Sequence, residues 1–203
     1  MATRPYKNQS REEAAAQTRE RIVGATLTLL REGAGPSFSL EDVAKAAGVT
    51  RLTVYNQLGS RRALLEAVFD DVAQRGGLHR IPQAMALEDP HATLEALVRI
   101  FCDFWSIDHV PLARLHDAAA SDPEFTESLA SRNERRRLTM ATVVDRMVGQ
   151  GDVRARAAID LVDMLFVLTG LPVYSQLVAR GRSKTSALKM IKAAVDDAVQ
   201  RAG

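Results

Sequence analysis

The segment Leu40-Glu41-Asp42-Val43-Ala44-Lys45-Ala46-Ala47-Gly48-Val49-Thr50-Arg51-Leu52-Thr53-Val54-Tyr55 constrains the fold more than any other part of the chain. Apolar residues recur at helical spacing on both sides of Gly48, and a glycine there can take the left-handed backbone of a sharp turn. Val43 and Ala47, with Val49 and Val54, stand where two short helices must pack on each other, and Ala44 is small enough for close approach. Ser39, with Asp42 three residues on, is close to a capping box for a helix over about Leu40 to Ala47. Thr50 can cap a second helix, about Arg51 to Leu58. Helix, tight turn, helix is the pattern whose second helix enters a DNA major groove. The same spacing also fits a generic helical hairpin with a solvated polar face.

The second helix is rich in hydrogen-bonding side chains: Thr50, Arg51, Thr53, Tyr55, Asn56 and Gln57, with Val54 and Leu58 pointing inward. Arg reads guanine bidentately, Asn and Gln read adenine, and Leu52 suits a thymine methyl. Charge agrees in sign. Residues 1–62 carry ten Lys and Arg against six Asp and Glu, although the whole chain is only +2. A basic N-terminal part on a mildly acidic body suits a polyanionic partner.

The rest of the chain reads as helix, with no strand signal. Aromatics are 5% of the 203 residues, a poor supply for a β-sandwich, while 46% apolar residues suffice for a core. Residues 1–17 are expected to form a polar arm leading into a helix with Ile22, Val23, Leu27 and Leu30, stopped by Gly33 and Gly35-Pro36. Gly59 and Ser60 open a fourth helix, which Gly76-Gly77 closes. A segment around Ile81 to Leu87 has no clear pattern. Asp89-Pro90 and Asp122-Pro123 are N-cap and first-turn pairs, the second opening a long helix to about Val148. Asp152 is expected to cap a helix through Leu171, interrupted by Pro172, and a last helix follows over about Lys184 to Arg201.

Several functions find no support in the residues. The lone Cys102 permits no intramolecular disulfide, and no metal-ligand spacing or cofactor motif is present. No nucleophile elbow, His-Glu-x-x-His or phosphate-binding glycine loop appears. The adjacent pairs Glu12-Glu13, Asp70-Asp71 and Asp196-Asp197 diverge around their helices. The N-terminus lacks the apolar run of a signal peptide, and no stretch approaches a membrane span, so a cytoplasmic protein is expected. A protein-interaction adaptor remains an alternative to a DNA-binding protein.

Residues Thr50 to Tyr55, followed by Leu58-Gly59-Ser60-Arg61-Arg62-Ala63-Leu64-Leu65, resemble the signature of the TetR family of regulators. Ile22-Val23-x-Ala25 and the run from Ser39 to Val49 fit as well, so the likeness covers about Arg19 to Phe69. It implies an all-α fold: an N-terminal helix-turn-helix DNA-binding domain with its arm over residues 1–62, then a helical ligand-binding and dimerisation domain over 63–203. It further implies a dimeric repressor that binds a palindromic operator and is released by a small apolar effector. Tyr55 and Arg61 would meet phosphate, Lys45 the DNA backbone, and Arg51, Leu52, Thr53 and Asn56 the bases or adjacent backbone. Gln57, Leu52 and Leu58 depart from the residues common in the family at those places, which bears on the operator sequence.

In the C-terminal body, the helix through Leu171 is apolar on two sides, and a helix of that kind must be covered twice. The resemblance implies that Leu161, Leu165 and Leu168, with Leu188, Ile191 and Val195 of the last helix, stand at a dimer seam, although burial in a single helical core would cover them as well. Phe101, Phe104, Trp105, His116, Met140 and Phe166 are expected to line a ligand cavity, although aromatic residues and Met at helical spacing equally suit plain core.

Overall fold

The computed structural model describes residues 5–33 and 38–203, with side chains from residue 11 onward. Gly35-Pro36 lies outside that range. The described residues are helical and contain no strand, as the sequence leads one to expect. The order is α1 (Pro5–Glu32), α2 (Leu40–Ala47), α3 (Arg51–Leu58), α4 (Arg61–Arg75), a 3-10 turn at Leu78–Arg80, α5 (Ile81–Met85), α6 (Pro90–Ile107) and α7 (His109–Ala119). Then come α8 (Pro123–Gln150), a 3-10 turn at Ala155–Ala157, α9 (Ala158–Leu168), α10 (Leu171–Ala179) and α11 (Lys184–Ala202).

Packing divides the chain into two units, Met1–Asp71 with Val110–Ser128, and Val72–His109 with Leu129–Gly203. The boundary expected at residue 62 follows inferred roles; by packing, 63–71 and 110–128 join the N-terminal helices. In the first unit, α1 buries Ile22, Val23, Leu27 and Leu30, and α2 and α3 pack against it. Leu64, Leu65, Leu112, Leu115 and Phe125 are buried in the same unit. Thr26 is fully buried, and its hydroxyl donates to the Ile22 carbonyl at 2.9 Å, so its burial leaves no unmet donor. The Arg114 guanidinium donates to the Leu30 carbonyl, placing a cation at the negative end of α1.

In the second unit, α6 buries Leu94, Leu97, Val98, Phe101, Phe104 and Trp105. Met140, Val143, Val144 and Met147 of α8 are fully buried as well. α11 packs on α6 and α9 through Ile191 and Val195. The Asp89 carboxylate accepts from the backbone N–H groups of His91 and Ala92, so the cap expected before Pro90 is present. Burial pushes the Cys102 thiol up to about 12, which keeps it protonated and unreactive at neutral pH.

Two expectations need correction. Residues 5–17 belong to α1, so the polar arm is helical rather than a separate lead-in. Without glycine or an internal proline after Pro5, nothing in that stretch stops the helix from growing backward. The helix expected from Asp152 through Leu171 begins at Ala158 after a 3-10 turn and ends at Leu168, so the interruption expected at Pro172 falls at Thr169-Gly170. Pro172 falls in the first turn of α10, and its ring forbids continuation from the preceding turn. Asp152 caps nothing there; its carboxylate meets His91 Nε2 at 3.0 Å. Among the described residues no single helix is long and apolar enough to cross a membrane, and the pair 155–168 and 171–179 passes that test only jointly, with a 45° bend.

Gly76 ends α4 where a side chain has no room. A Cβ there would lie 2.7 Å from the Phe104 ring and 2.9 Å from the Phe104 Cα. Gly76→Ala is therefore expected to destabilise the fold by about 1–3 kcal/mol through overpacking. Gly149→Ala, where a Cβ meets nothing within 4 Å, is the matched control and is expected to be neutral or stabilising in urea denaturation.

Candidate functional site

The α2–turn–α3 element is built as its residues dictate. The Ser39 hydroxyl accepts from Asp42 N–H at 3.2 Å, and the Asp42 carboxylate accepts from Ser39 N–H at 2.8 Å, a complete capping box. The Ser39 N–H first, and then the Ser39 hydroxyl, which donates to the same carboxylate at 2.7 Å, hold the Asp42 carboxyl below the usual range. Gly48 has φ 63° and ψ 39°, the left-handed conformation that turns the chain between the helices. Thr50 caps α3, its hydroxyl accepting from Thr53 N–H at 3.1 Å.

Burial then sorts the two faces of α3. Val43 and Ala44 from α2 and Val54 and Leu58 from α3 are buried. Arg51, Leu52, Tyr55 and Asn56 are exposed, and Thr53 and Gln57 are half-buried. Leu52 is 66% and Tyr55 58% exposed, large values for side chains of that size and apolarity. Lys45 of α2 is exposed too. The far end of α3 is held by Arg19, whose Nη1 donates to the Gln57 carbonyl at 3.2 Å. Sequence reasoning missed Arg19, because a contact across 38 residues leaves no local signal.

Arg61 is less free than its neighbours. It pairs with Asp122 at 3.5 Å and lies over the Phe38 ring at 5.3 Å. Arg62 pairs with Glu66 and Glu124. The first turn of α4 nevertheless presents backbone donors, with Ser60 accepting from Ala63 N–H at 3.1 Å.

This segment is also the one that known proteins share. Residues 22–68 match the family model of bacterial regulatory proteins, tetR family. That segment, about a quarter of the chain, is what this protein has in common with the tetR family. The family is one of regulators, not of enzymes. The HTH-type transcriptional regulator AlkX of Mycobacterium tuberculosis is 33% identical over 97 residues, 48% of this chain and 39% of the relative. The match thus spans well under half the length of that relative. A TetR transcription regulator from Haloarcula marismortui aligns with a TM-score of 0.74 at 18% identity, covering 92% of this chain and 98% of that one. A putative TetR-family regulator from Rhodococcus sp. gives 0.69 at 17% identity, covering 90% and 99%. At such identities the likeness is one of fold, an N-terminal helix-turn-helix followed by helices.

The residues expected in the C-terminal body are placed less simply. Phe101, Phe104, Trp105 and Met140 are buried in the second unit. Trp105 Nε1 donates to the Thr169 carbonyl at 2.8 Å. Phe166 is half-buried, with the guanidinium of Arg136 4.0 Å and that of Arg137 4.5 Å from its ring centre. His116 is part of the first unit, where its Nδ1 lies 2.9 Å from the Leu112 carbonyl. Of the expected seam residues, Leu161, Leu165, Ile191 and Val195 are buried within the chain itself, and Leu168 and Leu188 are half-buried. The apolar side chains left open on α9 and α11 are others: Ile159, Met164, Val167 and Met190. Helix periodicity alone does not tell which apolar stripe finds a partner within the chain.

Ser39→Ala removes one half of the capping box and leaves the Asp42 N–H without its acceptor. It is expected to cost about 1 kcal/mol of stability. Because α2 positions α3, DNA affinity should fall further than that of a surface control at the same temperature. Urea denaturation followed by circular dichroism measures the first effect, and fluorescence anisotropy the second.

Proposed function

We propose that this chain is a dimeric transcriptional repressor of the cytoplasm that binds a palindromic operator through α3 and is released by a small ligand held in its second unit. The observation that carries this reading is the outer face of α3. Four adjacent exposed side chains there can hydrogen-bond or contact bases, while Val54 and Leu58 fix the helix from behind. Arg51, Leu52, Thr53 and Asn56 serve the bases or the backbone beside them; Gln57, half-buried, serves at the edge. Tyr55 and Lys45 serve phosphates. Thr50 is committed to its cap. Arg61 contributes its backbone N–H at the start of α4 and, on releasing Asp122, its guanidinium.

A second copy of the chain fits the open apolar residues of the second unit. Ile159 is 78% and Val167 56% exposed, and with Met164 they lie along one side of α9. A two-fold pair supplies two recognition helices for successive major grooves. The ligand is read as a small, largely apolar molecule near Phe101, Trp105 and Met140. The chain passes from one unit to the other within α4, so a ligand that favours one setting of the second unit can bias the reading helices. By linkage, DNA must weaken the ligand by the same factor.

In fluorescence anisotropy against an operator selected from random duplexes, Tyr55→Phe should weaken selected and scrambled DNA alike. Arg51→Ala should instead narrow the gap between them, costing about 1–3 kcal/mol at the base pair it contacts. Unchanged sequence preference in Arg51→Ala would remove Arg51 from the reading set.

Val167→Glu and Met164→Glu change side chains that are open in the single chain. Each is expected to yield a folded monomer by light scattering. Leu165→Glu places a charge in the chain's own core and should unfold it instead. A Val167→Glu protein that remains a stable dimer would place the seam elsewhere.

A further inference from the structure

The break between α9 and α10 holds an arginine whose charge no carboxylate among the described residues answers. Arg136 of α8 is half-buried, and its Nη1 donates to the Phe166 carbonyl at 2.8 Å and to the Thr169 hydroxyl at 3.0 Å. The guanidinium lies 4.0 Å from the Phe166 ring centre and 5.8 Å from that of Phe101. Its Nε is sealed from solvent and has no hydrogen-bond acceptor. No carboxylate among the described residues pairs with it. Arg137, next along the chain, does have one, Asp163. Burial first, and Arg137 second, lower the Arg136 guanidinium to about 10, still charged at neutral pH.

The engaged and open atoms are not distributed at random. Nε and Nη2 share one edge of a guanidinium, and their N–H bonds run side by side in the fork that receives a carboxylate through two parallel hydrogen bonds. The protein uses only Nη1, leaving that edge intact. Nη2 lies beside Gly170, where an added Cβ would come to 3.6 Å. A buried unanswered cation is costly, and a chain that needed Arg136 only to cap α9 could do so with the charge in water.

We propose that the Nε–Nη2 edge of Arg136 receives the carboxylate of a small monoanionic ligand whose apolar body lies among Phe101, Phe166 and Met140. This rests on the reading above that the second unit takes a ligand, and names its chemical class. A monocarboxylate fits better than a phosphate. The fork is planar, one positive charge is unanswered, and the surroundings are aromatic. Because Nε is sealed, entry requires a local opening, and the ligand then replaces apolar contacts with its own. The carboxylate is an addition to the apolar effector read from the sequence, not a substitute for its apolar body.

Trp105, the only tryptophan, donates to Thr169 at the same break and reports on it. The full-length protein is titrated with decanoate, 4-phenylbutyrate and decanol while Trp105 emission and thermal midpoint are followed. At least one of the two carboxylates should give a saturable change and a raised midpoint, and decanol should give neither at the same concentration. Arg136→Gln should weaken the carboxylate by about 10- to 100-fold, the loss of a charge-assisted pair. Arg136→Lys, which keeps the charge without the fork, should also weaken it, and Arg135→Gln, at an exposed arginine of the same helix, should leave it unchanged. No saturable response to either carboxylate, equal binding of decanol, or unaltered binding by folded Arg136→Gln would each overturn the proposal and leave Arg136 as a helix cap only. The selectivity of the unaltered protein for decanoate over decanol decides the matter if a variant fails to fold. Operator affinity measured in the same titrations separates the two readings. Carboxylate binding that leaves operator affinity untouched overturns the regulatory reading and sustains this one.

Discussion

The first unit depends on the apolar stripe of α1. α2 and α3 have eight residues each, too few to hold a helix in water on their own. They persist because Val43, Val54 and Leu58 are closed off from solvent where α2 and α3 pack on α1 and on each other. This also fixes rotation about the helix axis. Once Val54 and Leu58 face inward, the helical period leaves Arg51, Leu52, Tyr55 and Asn56 outward. The outer face of α3 is thus a consequence of packing on its opposite side, and Arg19 ties down the end of that helix through the Gln57 carbonyl.

In the second unit, a comparable role falls to the break at Thr169-Gly170. Thr169 is almost wholly buried, yet all its polar groups are used. Its hydroxyl donates to Leu165 and accepts from Arg136, and its carbonyl accepts from Trp105. Pro172 prevents the helix from simply running on, so the carbonyls at the end of α9 are turned toward α6 and α8 rather than consumed within a helix. The break thereby draws three helices to one polar point inside an apolar unit. Polar networks of this kind are stable only when their members are satisfied, which is why an unmet atom at the break, Arg136 Nε, stands out chemically.

The DNA-reading element was legible from the residues because its signals are local. Ser39 with Asp42, Gly48, and Thr50 with Thr53 act over three or four positions, and each is found doing what its chemistry suggests. The caps at Asp89 and Asp122 were legible for the same reason. The break in α9 was misread by a few residues. Pro172 marks the disruption, but a proline is welcome in a first turn, so the preceding turn is the one that yields. The apolar residues of α9 and α11 were legible as buried but not as buried against whom.

The sequence by itself therefore determined the helical class, the helix-turn-helix and the face of α3 that looks outward, since these follow from periodicity, caps and one left-handed glycine. Tertiary structure alone decided which of several apolar stripes each helix spends on its own chain. It placed Leu161, Leu165, Ile191 and Val195 inside and left Ile159, Met164, Val167 and Met190 open. It also decided that Arg61 meets Asp122, and that Arg136 of the basic run on α8 turns inward with no carboxylate partner among the described residues. The physical reason is one of range. Backbone conformation and capping are settled by neighbours along the chain, whereas the partner of a side chain is settled by whatever distant surface the folded helices bring against it.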